Sequence, residues 1–179
     1  CLVGSEMCIR DRGVFGSIRD GQLETILWVL RGCQSTRGIQ GGLLILPTGH
    51  GKSLCYQFLS QLLSDWGEGV TLVISPLISL MQDQLRNLGT GVRGAAWNST
   101  VSHADKKKIT ELLVTGKLDV LFVTPEAACS GLLAKGLEKS QDARGGVGLL
   151  CVDEAHCISE WGHSFRPEYH SCVGYLVNR

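Results

Sequence analysis

Two clusters of residues in this chain have the types and spacing that phosphate chemistry requires. The first is the segment Pro47–Ser53, PTGHGKS, where two glycines precede a lysine and a serine. Gly49 and Gly51 can adopt positive φ, which lets successive backbone N–H groups converge on an anion. Lys52 can then reach the β- and γ-phosphates of a nucleotide, while the Ser53 hydroxyl ligates Mg²⁺. The residues predicted to bind ATP in this loop are Thr48, Gly49, His50, Gly51, Lys52 and Ser53.

The second cluster is a pair of adjacent carboxylates, Asp153 and Glu154, which follow the apolar run Leu149–Val152. This run has the length and composition of a buried parallel strand. Open α/β sheets bind their ligands at the carboxyl ends of such strands. Asp153 is therefore predicted to hold Mg²⁺ and Glu154 to orient an attacking water, while Lys52 neutralises phosphate charge. These three residues are the predicted catalytic set.

A strand and a helix are needed to position the phosphate-binding loop. Gly42–Leu46 is predicted as a short apolar strand and Leu54–Leu63 as the following helix, whose N-terminal dipole favours an anion. The general loop pattern has a further glycine at the position that Leu46 occupies here. The alternative is a glycine-rich turn that only caps an ordinary helix, but the strand–turn–helix context favours a nucleotide site.

Three residues upstream have the chemistry of an adenine clamp. Phe15, Arg19 and Gln22 follow one another at intervals of four and three residues, where a helix is predicted to begin at about Asp20 and to stop at Gly32. An aromatic ring, a cation and a planar amide would suit adenine, with the glutamine reading the base edge. The alternative is that this helix only packs against the rest of the domain.

The remaining elements predict an α/β fold with a doubly wound, mainly parallel sheet. Further strands are predicted at Val70–Ser75, Val92–Ala96, Asp119–Val123 and Val147–Val152. With Gly42–Leu46 they give five strands that alternate with helices, the rhythm of βαβ units.

Helix boundaries follow from proline and capping residues. Pro76 is predicted to start a helix that runs to about Leu88. Ser102 is predicted as the N-cap of a helix to Val114, with Asp105 in the capping-box position. Pro125 after Thr124 turns the chain into another helix. The stretch Gly131–Gly146 is interpreted as a short helix followed by an exposed loop.

Composition sets the outer limits. The chain has 179 residues, enough for one domain, and its 17 basic and 17 acidic residues cancel, so no global basic field predicts nucleic acid. None of the eight cysteines has C-x-x-C spacing, and several lie in apolar runs, which favours core thiols in a reducing compartment. No run predicts a transmembrane helix or a signal peptide. Residues 1–13 match nothing downstream and are interpreted as a non-native or disordered tail.

The segment DEAHCISEWGHSFRPEY, Asp153–Tyr169, resembles the Walker B motif and aromatic-rich loop of RecQ-family DNA helicases. LPTGHGKSLCYQ, VISPLISLMQDQ, NST and VTPE resemble further motifs of that family, in the same order along the chain. The resemblance implies a RecA-like domain that uses ATP and Mg²⁺ to move 3′→5′ on DNA and unwind it. It also implies a part in DNA repair and recombination, with single-stranded DNA and duplex junctions as partners.

The resemblance also implies residue roles. Trp161, Phe165 and Arg166 would sense single-stranded DNA, and His156 would link them to the ATP site. Phe15 stands where the family often has tyrosine, and Ile18 where it often has phenylalanine. The positions of the other motifs that would contact nucleic acid are Ser75, Asn98, Ser99 and Thr124. From the residues alone, Ser75 and the polar start of the next helix could equally cap and solvate that helix.

Residues 14–179 are expected to form the first RecA-like, ATP-binding domain, truncated at its C-terminus. The family has a second RecA-like domain, which carries an arginine finger worth ~10³–10⁵ in rate, and zinc-binding and winged-helix modules. We therefore expect this chain alone to bind Mg-ATP weakly, not to unwind DNA, and to expose an open strand edge. The implied location is intracellular: the nucleus of a eukaryote, or the cytoplasm and nucleoid of a bacterium.

Three other readings remain at this stage. A DEAH-type RNA helicase or a duplex translocase would share the phosphate-binding loop and the carboxylate pair, although the aromatic-rich loop argues against both. A nucleotide-binding fragment without turnover is a second reading. A P-loop kinase is a third, but the chain has no evident acceptor site and the aromatic loop would have no purpose.

Overall fold

The computed structural model of the chain describes residues 18–33, 41–47 and 49–155. The helices in this part are α1 (Asp20–Cys33), α2 (Lys52–Trp66), α3 (Ile78–Arg86), α4 (His103–Val114), α5 (Pro125–Ala128) and α6 (Gly131–Arg144). The strands are β1 (Val70–Ile74), β2 (Gly94–Trp97), β3 (Val120–Val123) and β4 (Val147–Val152). Within these described residues no helix is long and apolar enough to cross a membrane.

The four strands form one parallel sheet in the order β2-β3-β1-β4. The two central strands, β1 and β3, are buried at every position. Such continuous burial is expected of a parallel sheet that helices cover on both faces. The predicted α/β class with a doubly wound parallel sheet is confirmed.

Side chains that alternate along the strands pack into separate cores on the two faces of the sheet. The core that joins the sheet to α4, α5 and α6 includes Leu72, Leu121, Ile109, Ala128 and Leu133. The core that joins it to α2 and α3 includes Val73, Phe122, Tyr56 and Met81. A third cluster packs α1 on α2 and includes Ile26, Leu30, Cys55 and Leu59. The helix that begins at the phosphate-binding loop is therefore fixed between the sheet and α1.

The prediction of a strand at Gly42–Leu46 is wrong. Residues 41–47 have no regular secondary structure, and Leu43 and Ile45 are 75% and 81% exposed. The apolar composition predicted a strand, but a strand also needs a partner to pair with. Leu44 packs on the α1–α2 cluster, while no described strand hydrogen-bonds to this segment. An apolar segment without a neighbouring strand gains no ladder of hydrogen bonds.

Two helix predictions also need correction. Pro76 does not start a helix: α3 begins at Ile78, after an extended N-cap at Leu77. The reason is that the Ser75 N–H still donates to the Val123 carbonyl, at 3.0 Å, so sheet pairing continues up to the proline. Gly131–Gly146 is not a short helix and a loop, because α6 continues to Arg144.

Helix α6 begins at an ordinary serine N-cap, which the glycine- and lysine-rich composition of this stretch made hard to recognise. The Ser130 hydroxyl accepts a hydrogen bond from the Leu133 N–H at 3.4 Å, and a left-handed Gly145 ends the helix. The predicted cap at Ser102 is confirmed, since its side chain accepts from the Asp105 N–H. The helix predicted to begin at Pro125 is confirmed as well, and the Thr124 side chain caps it by accepting from the Ala127 N–H.

At the opposite edge of the sheet, a buried carboxylate ties three elements together. Asp119, which immediately precedes β3, accepts two hydrogen bonds from the Arg93 guanidinium, at 2.6 and 3.0 Å, and a third from the Arg93 N–H at 2.7 Å. The Ser64 hydroxyl at the end of α2 also donates to this carboxylate. Burial acts to raise the pKa of Asp119, but these hydrogen bonds hold it below its ordinary value. The network braces the far end of α2.

Candidate functional site

The phosphate-binding loop has the backbone that its glycines predict. Gly49 and Gly51 have φ of 79° and 72°, and Gly51 is the N-cap from which α2 starts at Lys52. The first turn of α2 carries no acidic residue, so no carboxylate of that turn neutralises the positive end of the helix. The loop and helix together therefore present an anion site.

Lys52 lies within reach of the loop's own backbone. Its Nζ donates a hydrogen bond to the Leu46 carbonyl at 3.0 Å. Among the described residues, this exchangeable hydrogen bond is the one recorded for the ammonium. A phosphate that enters the loop can replace the carbonyl as the acceptor.

The structure brings Gln22 to the phosphate-binding loop. This side chain is 5% exposed, and its Nε2 donates to the carbonyls of His50 and Gly51, at 2.7 and 3.1 Å. Its Oε1 accepts from the Arg19 N–H at 2.9 Å. The amide predicted to read adenine therefore braces the loop in this structure. The Arg19 residue is exposed.

The two predicted catalytic carboxylates lie at the carboxyl end of β4. The Asp153 N–H donates to the Ile74 carbonyl at 2.9 Å, which extends the pairing of β4 with β1. The Glu154 N–H donates to Asp153 Oδ1 at 3.1 Å. Glu154 has φ of 53°, the one non-glycine residue of the described chain with positive φ. Positive φ strains such a side chain, and backbone strain of this kind clusters at functional sites.

Tyr56 lies close both to the loop, at Ser53, and to the carboxylate pair, at Asp153. Burial raises the pKa of its phenol, side-chain hydrogen bonding with Ser53 opposes that rise, and the negative charge of Asp153 adds to it. One side chain therefore lies beside the predicted magnesium ligands of both segments. Sequence reasoning missed Tyr56, whose only signal is its place one turn after the loop.

The two cysteines near the site are core residues. Burial raises the pKa of the Cys55 thiol to about 11 and that of the Cys151 thiol to about 12. Both groups therefore remain protonated near neutral pH, which suits small apolar side chains rather than nucleophiles.

A separate cleft of about 460 Å³ opens at the carboxyl ends of β1, β2 and β3. Three of the four motif residues predicted to contact nucleic acid line it: Asn98, Ser99 and Thr124. Ser99 is exposed, whereas Asn98 is buried and accepts from the Thr100 N–H and hydroxyl at 2.9 and 2.7 Å. Ser75 is also buried, and among the described residues its hydroxyl has no hydrogen-bond partner. The cleft collects the predicted residues, although several shape its backbone rather than face solvent.

Several predicted functional residues fall outside the described residues. They are Phe15, Thr48, His156, Trp161, Phe165 and Arg166, and the predicted tail 1–13 lies outside as well. The roles predicted for them remain predictions.

The residues of the loop and of β4 fit a magnesium nucleotide. A serine hydroxyl and a carboxylate are the hard oxygen ligands that Mg²⁺ prefers, with phosphate oxygens completing its shell. The loop supplies a lysine and the positive end of a helix for the phosphates.

Comparison with known proteins agrees with this arrangement. The model of the family described as DEAD/DEAH box helicase matches residues 19–179. The chain belongs to the DEAD/DEAH box helicase family. The matched region of this helicase domain includes both the phosphate-binding loop and the Asp153–Glu154 pair.

Curated relatives of this helicase domain are RecQ-type proteins, which confirms the resemblance seen in the motifs. The chain is 41% identical over 155 residues to ATP-dependent DNA helicase Q-like 5 of Arabidopsis thaliana, covering 87% of the chain and 15% of that protein. It is 40% identical over 161 residues to ATP-dependent DNA helicase RecQ of Haemophilus influenzae, covering 88% and 23%. It is 37% identical over 152 residues to ATP-dependent helicase SGS1 of Saccharomyces cerevisiae, covering 84% and 10%. The chain thus spans less than a quarter of the length of these relatives.

Proposed function

We propose that this protein is the ATP-binding part of an ATP-dependent DNA helicase of RecQ type. The observation that carries the proposal is that Ser53 of the phosphate-binding loop and Asp153 both lie beside Tyr56, in a domain whose cleft gathers the predicted nucleic-acid residues. A helicase must couple two such sites, because hydrolysis at one has to change the grip on nucleic acid at the other.

In this proposal the loop binds the phosphates of ATP. Lys52 leaves the Leu46 carbonyl and contacts the β- and γ-phosphates, and the N–H groups at the start of α2 contact their oxygens. Ser53 and Asp153 would hold Mg²⁺, which neutralises charge that develops on the transferred phosphoryl group. Glu154 orients and polarises the attacking water. Residues 14–179 are proposed as the extent of this domain.

Base recognition is proposed for Phe15, Arg19 and Gln22. The geometry adds a condition: the Gln22 amide must give up its bonds to His50 and Gly51 before it can read adenine. The two carbonyls that lose this donor belong to exposed residues of the loop. Water can therefore donate to them in place of Gln22 at little cost.

Single-stranded DNA is proposed to follow the cleft beside Asn98, Ser99 and Thr124. Trp161, Phe165 and Arg166 would stack on bases and grip phosphates, and His156 would pass their state to the ATP site. Ser75 contributes by position at the end of β1. We propose that strand separation with 3′→5′ polarity requires parts of the protein beyond the span that matches its relatives. The proposed setting is inside the cell, on chromosomal DNA during repair and recombination.

ATP hydrolysis by the full-length gene product tests this function. Hydrolysis is measured with no nucleic acid, with single-stranded DNA, with RNA of the same sequence, and with blunt duplex, for wild type and Trp161→Ala. The proposal expects stimulation by single-stranded DNA, little by RNA or blunt duplex, and loss of the stimulation in Trp161→Ala.

The other outcomes identify the competing functions. Stimulation by RNA alone would indicate an RNA helicase, and stimulation by blunt duplex without strand separation a translocase. Nucleotide binding with no hydrolysis under any condition would leave a nucleotide-binding protein without turnover, and the proposal would be wrong.

A further inference from the structure

Tyr56 occupies a position that packing alone does not explain. It lies on α2, one turn beyond Ser53, and is 6% exposed. Its ring meets Phe122 of β3 edge-on, with ring centroids 6.1 Å apart and planes at 74°. A phenylalanine would make the same ring contact, so the buried hydroxyl is the group that calls for an explanation.

The hydroxyl connects two helices. It donates a hydrogen bond to Gln84 Oε1 on α3, at 3.1 Å, and its other neighbour is the Ser53 side chain, on the side of the phosphate-binding loop. Gln57 Nε2 donates to the same Gln84 oxygen at 3.3 Å. The Tyr56 hydroxyl therefore lies between Ser53 of the loop and Gln84 of α3.

The other end of α3 lies at the cleft. Ile78, its first residue, lines the cleft together with Pro76. One nine-residue helix therefore touches the hydroxyl beside the phosphate-binding loop at Gln84 and the cleft at Ile78. A rigid helix of this length can carry a small displacement between its two ends.

We propose that Tyr56 is a positioning residue whose hydroxyl couples the state of the phosphate-binding loop to α3, and through α3 to the cleft. The proposal rests on the proposed function, since it needs a nucleotide at the loop. If the Ser53 hydroxyl turned toward a bound magnesium nucleotide, its contact with the Tyr56 hydroxyl would change, and so would the bond from Tyr56 to Gln84. The cleft then differs between the empty and occupied loop.

Hydrogen exchange of backbone amides tests the coupling without any nucleic acid or turnover. Exchange is measured with and without MgADP in wild type, Tyr56→Phe and Gln84→Met, at two segments: residues 49–53 of the loop and 78–86 of α3. Tyr56→Phe deletes one buried hydroxyl, and Gln84→Met keeps the length of the side chain without an acceptor. Ser60→Ala is the matched control, because it also deletes a buried hydroxyl from α2, one that donates only to the Tyr56 carbonyl of its own helix.

In wild type and Ser60→Ala, MgADP is expected to change exchange in both segments, in α3 by about fivefold, the lower end of usual coupling between sites. In Tyr56→Phe and in Gln84→Met the loop is expected to respond as in wild type and α3 to respond less than about twofold. The double variant should lose no more than either single variant.

The inference is wrong if α3 of Tyr56→Phe or Gln84→Met responds to MgADP as wild type does, or if wild-type α3 does not respond while the loop does. Neither result touches the nucleotide site. Absence of any MgADP response at the loop in wild type would instead contradict the proposed function, and the inference with it.

Discussion

Single residues at the carboxyl ends of the strands carry the geometry on which the proposed catalytic site depends. Lys52 and Gln22 contact the backbone of the phosphate-binding loop, and Asp153 continues the pairing of β4 with β1. The residue that departs most from ordinary backbone geometry is Glu154, with φ of 53°. Its side chain is the proposed water-positioning carboxylate, so strain and function coincide at one position.

The strain at Glu154 gives a prediction that isolates the backbone. Glu154→Gly should be more stable than Glu154→Ala by about 0.5–1 kcal/mol, because left-handed φ costs alanine about 1–2 kcal/mol and glycine loses about 0.4–1 kcal/mol through unfolded-state entropy. Both variants lose the same side-chain contacts. Urea unfolding measures the difference. An alanine variant as stable as the glycine variant would show that Glu154 is not held in this conformation.

Elements are joined at the opposite edge of the sheet by the buried Asp119 carboxylate. It connects the end of α2, through Ser64, with the chain that enters β2, through Arg93. The far end of the nucleotide-binding helix is thereby fixed to the sheet, while its first turn remains open to a ligand. This brace and the phosphate-binding loop lie at opposite ends of α2.

Removal of the carboxylate in Asp119→Ala should lower the free energy of unfolding at neutral pH by about 1–3 kcal/mol. This is less than the about 3–5 kcal/mol for a fully buried pair, because half-exposed Arg93 can be rehydrated. Asp83→Ala is the matched control, since its pair with Arg86 at 3.0 Å is exposed on both sides and should cost about 0–1 kcal/mol.

The same network sets a dependence on pH. The pKa of Asp119 is lowered from its ordinary value of 3.8, so its stabilisation is fully present above pH 3.8 and is lost as pH falls through the lower, folded-state pKa. The difference in free energy of unfolding between wild type and Asp119→Ala should therefore be constant to within about 0.5 kcal/mol from pH 5 to 7, and should shrink below about pH 4. A gap that is unchanged in acid would mean that the pKa of Asp119 is the same in the folded and unfolded states.

Prediction from sequence succeeded where the signal is local. The Ser102 cap, the helix that begins at Pro125 and the run Val147–Val152 were predicted because capping chemistry and apolar strands depend on neighbouring residues. The strand at 42–46 was predicted wrongly because a strand needs a partner strand, and the length of α6 was missed because its cap is hidden in a glycine- and lysine-rich stretch. Gln22 was predicted to read adenine, which stays a prediction, and its bonds to His50 and Gly51 are tertiary contacts that no pattern encodes.

At the scale of the whole molecule, the structural Asp119 network and the proposed functional sites lie at opposite ends of the parallel strands. The amino edge of the sheet carries the Asp119 network, and its carboxyl edge carries the phosphate-binding loop, the carboxylate pair and the cleft. Helix α3 reaches from the neighbourhood of the loop to the cleft, which gives the domain a short physical route between its two proposed sites. The four parallel strands, with helices on both faces, agree with membership of the DEAD/DEAH box helicase family.

The central claim is that the loop at 47–53 is a magnesium-nucleotide site. Its most direct test is equilibrium binding of fluorescent ADP with Mg²⁺ to wild type, Lys52→Ala and the control Lys135→Ala, which removes an exposed lysine on α6. We predict saturable binding in wild type and Lys135→Ala, and at least about tenfold weaker binding in Lys52→Ala, since a charge-assisted phosphate contact is worth about 1.5–3 kcal/mol. Equal affinity in all three proteins, or no saturable binding to wild type, would contradict the account.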